Sequence, residues 1–201
     1  MRQRGFSMVE LMVTLTILVL LVLAAMPSIG TWLDNTRIRN EGDSLITGLQ
    51  TARGEAVKRN QNVSFWLVQL TDPAKLANDC TLSDTSGSWV VSVYAPNSHC
   101  ADDATSTDAT VNPSGVVLAR AMGGDSGRVS VKAVQSDGTS SSNFVTFNGF
   151  GRVAGSGFIS RVDLDGTGGA TYRKLSVMVS NTGAVRLCDP AVTSTTDPRK
   201  C

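Results

Sequence analysis

The chain has 201 residues, a formal net charge of +1, four cysteines, 19 glycines and only 5% aromatic residues. A balance so close to neutral excludes a strong electrostatic commitment to nucleic acid or acidic lipid from the total alone. With the apolar N-terminal stretch set aside, enough chain remains for one soluble domain, and a glycine-rich, aromatic-poor composition suits a turn-rich β domain better than a large helical core.

Arg2 and Arg4 precede Gly5, and from Phe6 to Met26 the one ionisable side chain is Glu10. A helix over 6–26 is about 31 Å long, close to the hydrocarbon thickness of a bilayer, so this segment is expected to span a membrane. No basic residue follows until Arg37, and the positive-inside bias then keeps the N-terminus cytoplasmic and sends the remainder across. Glu10 is the anomaly. A carboxylate within a spanning helix costs on the order of 3 kcal/mol near the centre and less near an end, which predicts a partner for it. A cleaved secretory signal peptide is the competing reading. It lacks a small residue at the last position of Ala24-Ala25-Met26 and leaves Glu10 unexplained. Pro27 removes one helical hydrogen bond and, with Gly30, predicts a kink or loosening there.

From Ile38 to Val57 the apolar or small positions Ile38, Gly42, Leu45, Leu49, Ala52 and Ala56 recur at steps of three and four, with Arg39, Asp43, Gln50 and Arg53 elsewhere on the wheel. That is an amphipathic helix whose stripe needs a sheet to cover it. Beyond Asn62 the pattern changes to short β-type runs: Val63 to Leu70, Trp89 to Tyr94, Val116 to Ala119, Arg128 to Val134, Phe144 to Phe147, Phe158 to Leu164, Leu175 to Ser180 and Val185 to Cys188. Asn148-Gly149 and Asn181-Thr182-Gly183 are hairpin signals, since both residue types tolerate positive φ.

Cys80, Cys100, Cys188 and Cys201 all follow the apolar run. An even count in an exported domain argues disulfides, and three connectivities are open. The two sequence-local pairs are favoured because each closes a short loop, either contributing roughly 3 kcal/mol. Metal ligation by His99 with Cys100 is disfavoured, since there is no C-x-x-C pair and no second histidine. Asp163-Leu164-Asp165-Gly166 invites a calcium loop, but the glycine arrives too early and no glutamate closes it, so a glycine turn after a strand is the preferred reading. Gly149, Gly151, Gly155 and Gly157 fit neither a dinucleotide fingerprint nor a phosphate loop. No serine elbow or histidine-centred constellation points to an enzyme, and no cofactor is implied.

Arg4-Gly5-Phe6-Ser7-Met8-Val9-Glu10-Leu11 resembles the leader and N-terminal helix of type IV pilins and type II secretion pseudopilins. The resemblance implies cleavage by a prepilin peptidase after Gly5, N-methylation of the freed Phe6, and pairing of Glu10 with the terminal amine of a neighbouring subunit. The stretch Gly48 to Val63, the run Phe144-Val145-Thr146-Phe147-Asn148-Gly149-Phe150-Gly151-Arg152 and the tail around Cys188 and Cys201 are similar to the FimU/FimT (GspH-like) family of type IV minor pilins. The implied fold is α+β: a long N-terminal α-helix, transmembrane in its N-terminal half, packed on an antiparallel β-sheet or sandwich head. The implied organisation is a leader over 1–5, a transmembrane and assembly helix over 6–26, its amphipathic continuation over 27–60 and a β-rich head over 61–201.

The implied function is that of a non-enzymatic minor pilin that primes pilus assembly and sits at or near the tip, in support of adhesion, twitching motility or DNA uptake. Its implied partners are other minor pilins, the major pilin, the prepilin peptidase and the inner membrane. The head is expected in the periplasm before assembly and on an extracellular pilus after it. A minor pseudopilin of type II secretion is the alternative. A second alternative is a DNA-binding pilin of natural transformation, because FimT-like relatives carry a glycine-arginine-x-arginine motif where this chain has Gly183-Ala184-Val185-Arg186. One arginine of that motif is missing, which removes about one phosphate contact. Arg152, Arg161, Arg173, Lys174, Arg186, Arg199 and Lys200 could gather into a patch, with Arg186 and Arg152 the candidate DNA contacts; scattered, solvated charges are the favoured reading, so nucleic acid ranks behind the protein partners.

Overall fold

A computed structural model describes residues 6–123, 126–168 and 172–201, and of residues 24–29 the backbone alone. The chain opens with one helix, α1 (Met8–Arg59), followed by nine strands: β1 (Val63–Gln69), β2 (Thr81–Leu82), β3 (Trp89–Ser92), β4 (Val116–Arg120), β5 (Val129–Val134), β6 (Phe144–Phe147), β7 (Arg161–Gly166), β8 (Leu175–Val179) and β9 (Val185–Cys188). The helix runs unbroken through Pro27 and Gly30. A proline deletes one rung of the ladder and the rungs on either side persist, so the predicted weakness does not interrupt the helix. Its end is chemically marked. Asn60 takes a left-handed φ of 50°, and the Asn60 and Gln61 amides turn back to the Val57 and Ala56 carbonyls at 3.3 and 3.2 Å, the double bond of a Schellman termination.

All strand pairs between the named strands are antiparallel and form two sheets. In the first, β1 pairs with β3 on one side and with β6 and then β2 on the other, and β4 adds beyond β3. The second runs β5-β7-β8-β9. The C-terminal half of α1 lies against both sheets. The predicted stripe of Ile38, Gly42, Leu45, Leu49, Ala52 and Ala56 is buried at every position. Two glycines set the approach. A Cβ at Gly48 would stand 2.7 Å from Phe65 and 2.9 Å from Trp89 in the first sheet, and one at Gly42 would stand 2.9 Å from Leu187 in the second. Buried Ser44 accepts a hydrogen bond from Trp89 Nε1 at 3.0 Å, so the largest core side chain keeps its one polar atom satisfied.

Strand β1 is buried on both faces. Val63, Phe65 and Leu67 face the helix-side core, whereas Val68 joins Leu70, Val90, Val116, Cys80 and Cys100 in a second cluster. The segment after β1 covers this outer face, pinned by the Cys80–Cys100 disulfide. A second disulfide joins Cys188 to Cys201 and returns the tail to β9.

Two strand expectations need correction. Thr81–Leu82 pairs with β1 as a strand too short to show alternation. The strand expected over Phe158 to Leu164 runs instead over Arg161–Gly166: Phe158 to Ser160 belongs to the connection, where the Ile159 and Ser160 amides bond the Phe144 and Val134 carbonyls, and the turn or calcium loop expected at Asp165-Gly166 lies inside β7.

Candidate functional site

The projecting half of α1 is defined by what its side chains meet. The large apolar residues from Phe6 to Leu23 are all exposed, from 48% at Val22 to 80% at Phe6, a surface far larger than a monomer in water keeps without a partner. Thr14 and Thr16 donate their hydroxyls to the Leu11 and Met12 carbonyls at 2.9 and 2.7 Å, so neither presents an unsatisfied donor to an apolar partner. Glu10 lies exposed in the first helical turn, where the helix dipole favours a negative charge, and makes no ion pair among the described residues. Gly5 lies outside the described residues. So do the side chains of Ala24 to Met26 at the end of the expected span, and among the described residues no helix is long and apolar enough to cross a membrane.

At the other end of α1 the glycine-rich hairpin docks on the helix. Asn148 Oδ1 accepts from the Phe150 and Arg152 amides at 3.0 and 3.1 Å, which holds the turn. A Cβ on Gly149 would come 2.4 Å from the Asn60 side chain, and Gly151 sits at φ 70° over Arg53 and Val57. Arg53 Nε donates to the Gly151 carbonyl at 2.9 Å. Gly183, in the turn between β8 and β9, has φ 82°, and a Cβ there would stand 2.1 Å from that same carbonyl oxygen. The glycines of both motifs therefore serve one packing knot against α1. Arg53, placed by its spacing on the polar side of the helix, is the residue that the sequence reading missed.

Four of the seven cations behind the nucleic-acid reading, Arg161, Arg173, Lys174 and Arg199, are held by carboxylates. Cross-strand register puts Arg161, Met178 and Arg186 in one row on the face of the second sheet that points away from α1, with Lys132, Asp163 and Ser176 in the next. Carboxylates interleave with them. Arg161 bonds Asp163 at 3.0 Å, Lys174 meets Asp165 at 2.7 Å, Arg173 meets Asp189 at 2.9 Å and Arg199 meets Asp197 at 2.6 Å. The Arg199 side-chain hydrogen bond holds the Asp197 carboxyl down at about 2, and the bond to Asp165 raises the Lys174 ammonium above its ordinary value. Arg186 donates to the Lys200 and Cys201 carbonyls at 2.8 and 3.3 Å. Arg152 stands apart from this face, lining a cavity of about 660 Å³ with Asn148, Phe150 and Asn181. Asp163 also accepts from Ser176 Oγ at 2.7 Å, so its carboxylate is held by Arg161 on its own strand and by Ser176 on β8. His99 contacts Asp102 at 3.0 Å beside a Cys100 whose sulfur is in a disulfide, so no thiolate is left there for a metal.

The family described as Type II transport protein GspH matches residues 41–183, and the prokaryotic N-terminal methylation motif matches residues 1–26. The chain belongs to the GspH family. No curated protein matches it. Among solved structures it is similar to two crystal forms of the type IV minor pilin FimU from Pseudomonas aeruginosa (strain PAO1). One is 14% identical with a TM-score of 0.47, over 82% of this chain and 97% of that one; the other is 16% identical with a TM-score of 0.44, over 78% and 97%. The GspH match begins at buried Glu41, where α1 meets the sheets, and ends at Gly183 in the packing knot. Arg186 and the Cys188–Cys201 bridge lie beyond it. The matched region of this GspH-family chain is thus the helix–sheet core together with the knot.

Proposed function

We propose that this GspH-family chain is a minor type IV pilin of the FimU-like kind, a structural subunit that acts by helix packing. The exposed apolar half of α1, which carries a single acid, is the observation that supports this reading most directly. In this scheme residues 1–5 are a leader removed after Gly5, 6–26 are the membrane and assembly helix, 27–60 its amphipathic continuation and 61–201 the head. Cleavage frees a cationic amine on Phe6, which is methylated. Glu10 of one subunit then neutralises the amine of a neighbour as helices bundle, in a medium where an unpaired charge is costly. The helix joins those of other minor pilins and the major pilin in the inner membrane and carries the head to or near the pilus tip.

A minor pseudopilin of type II secretion is the second reading, favoured by the description of the family itself. Both readings require a mature chain that begins at N-methylated Phe6, which mass spectrometry of the chain from its native host checks; another terminus overturns both. Deletion separates them, since loss of surface pili with intact protein secretion supports the pilin and the reverse supports the pseudopilin. Glu10→Ala should leave processing after Gly5 intact and impair incorporation into the fibre, and unchanged incorporation would sink the charge pairing. DNA binding is not favoured, because Arg186 is bonded to the tail and the neighbouring cations are paired with carboxylates.

A further inference from the structure

Just beyond the apolar run, α1 carries side chains that water alone does not favour. Trp32 is 65% and Leu33 41% exposed. Trp32, Asn35, Thr36 and Arg39 follow one helix face at steps of three and four, and Arg173 and Leu175 close a cleft of about 210 Å³ against them. The Arg173 amide donates to Asn35 Oδ1 at 2.9 Å, which fixes the loop to the helix at this height. The charges around the cleft are sorted by depth. Arg39, Arg128, Arg173 and Lys174 project, whereas Asp34 and Asp189 beside them are nearly covered. Asp43, 3.8 Å from Arg39, sits one turn farther from the apolar run.

The chain carries no ionisable side chain from Leu11 to Leu33, and on the membrane-anchor reading the boundary of the hydrocarbon then falls between Met26 and Trp32. Trp32 then lies within about 9 Å of that boundary and Arg39 about 10 Å beyond Trp32, with helical side chains leaning back toward the N-terminus, that is, toward the bilayer. Tryptophan is favoured at this level, and cations near it are attracted to anionic leaflets.

We infer that Trp32, Arg39 and Arg128, whose carboxylate contacts are the long ones at 3.8 and 4.0 Å, form a collar that seats the head on anionic phospholipid headgroups of the periplasmic leaflet. This rests on the membrane-anchor reading above. The collar holds the head upright over its own helix before assembly, and its lipid contacts are broken when the subunit is drawn into a fibre. The occupant is the lipid surface and not a free phosphate, because the site pairs its cations with an exposed indole and leucine on the helix that enters the bilayer.

The full-length chain in phosphatidylcholine nanodiscs, with and without about one-third phosphatidylglycerol, tests this when the headgroups carry a nitroxide quencher. The difference between the native chain and Trp32→Phe isolates Trp32 from Trp66 and Trp89. Trp32 quenching should be about twofold deeper in the anionic discs, decline with added salt, and lose that excess in Arg39→Gln/Arg128→Gln. Quenching of Trp32 no stronger than that of Trp66 and Trp89, or equal in both discs, overturns the inference. So does an equal change in neutral discs on adding inorganic phosphate. The salt titration needs no variant, so misfolding of the arginine double variant leaves the outcome decidable. A chain that does not stay with the discs overturns the anchor reading itself, and an inserted chain with unquenched Trp32 overturns the collar alone.

Discussion

Between Met8 and Leu23 the large apolar side chains of α1 are exposed on every side, whereas between Ile38 and Ala56 the same helix buries one complete stripe. Both halves are good helix in sequence. They differ in where the polar residues fall: the first has Glu10 and two threonines, and the second alternates its stripe with Arg39, Asp43, Gln50 and Arg53. A helix that is apolar all round asks for lipid or other helices, while a striped one can be completed by its own chain. The contrast separates the part of the helix that packs on the head from the part whose apolar surface the head leaves uncovered.

Truncation across the two halves tests this most strongly. Leu49→Ala should cost the head about 3 kcal/mol, because Leu49 is fully buried between helix and sheet and a cavity remains. Leu20→Ala should leave head stability within about 0.5 kcal/mol and weaken fibre incorporation instead. Thermal unfolding of both variants in the same detergent measures the difference, and equal losses would erase the distinction. Removing Cys80 and Cys100 together should cost about 2–3 kcal/mol, felt in the layer outside β1 and not along α1. Hydrogen exchange should show faster opening of residues 71–88 and 93–115 with β3 and the helix core still protected.

A smaller effect sharpens the contact between α1 and the first sheet. Ser44→Ala leaves Trp89 Nε1 without its acceptor in the core and should cost about 1–2 kcal/mol, with a changed Trp89 emission. The smallest effect belongs to the tail. The Asp197 carboxyl is held at about 2 by Arg199, below its ordinary 3.8. A depressed folded value contributes stability above the unfolded value and loses it as pH falls through the folded one. Tail docking should therefore be constant at neutral pH and loosen between about pH 4 and 2, seen as faster exchange of the Arg199 and Lys200 amides. Asp197→Asn should flatten that dependence without moving α1.

The helix, its buried stripe and eight of the strands were readable because each is a local pattern: steps of three and four, alternation, and turn residues at the ends. Motif residues were readable as special but not in their role. Gly183 was weighed as part of a DNA-binding motif, yet its positive φ and the Gly151 carbonyl that would meet a Cβ there explain it by packing. Arg53 was assigned to the polar side because periodicity ignores how far an arginine reaches. The expected strand over Phe158 to Leu164 stops short of Asp165 because glycines follow it, while long-range pairing with β5 extends the strand through Asp165 and Gly166.

By itself the sequence determined the apolar rod with its lone acid, the amphipathic continuation and the order of short strands, since all of these follow from interactions between near neighbours. The tertiary structure alone decided which glycines touch, that β1 is covered on both faces, and that Arg161, Arg173, Lys174 and Arg199 are each paired with a carboxylate while Arg152 stands apart. Those outcomes depend on sheet register and on contacts between residues far apart in the chain, and no local pattern encodes which distant strand will be the neighbour.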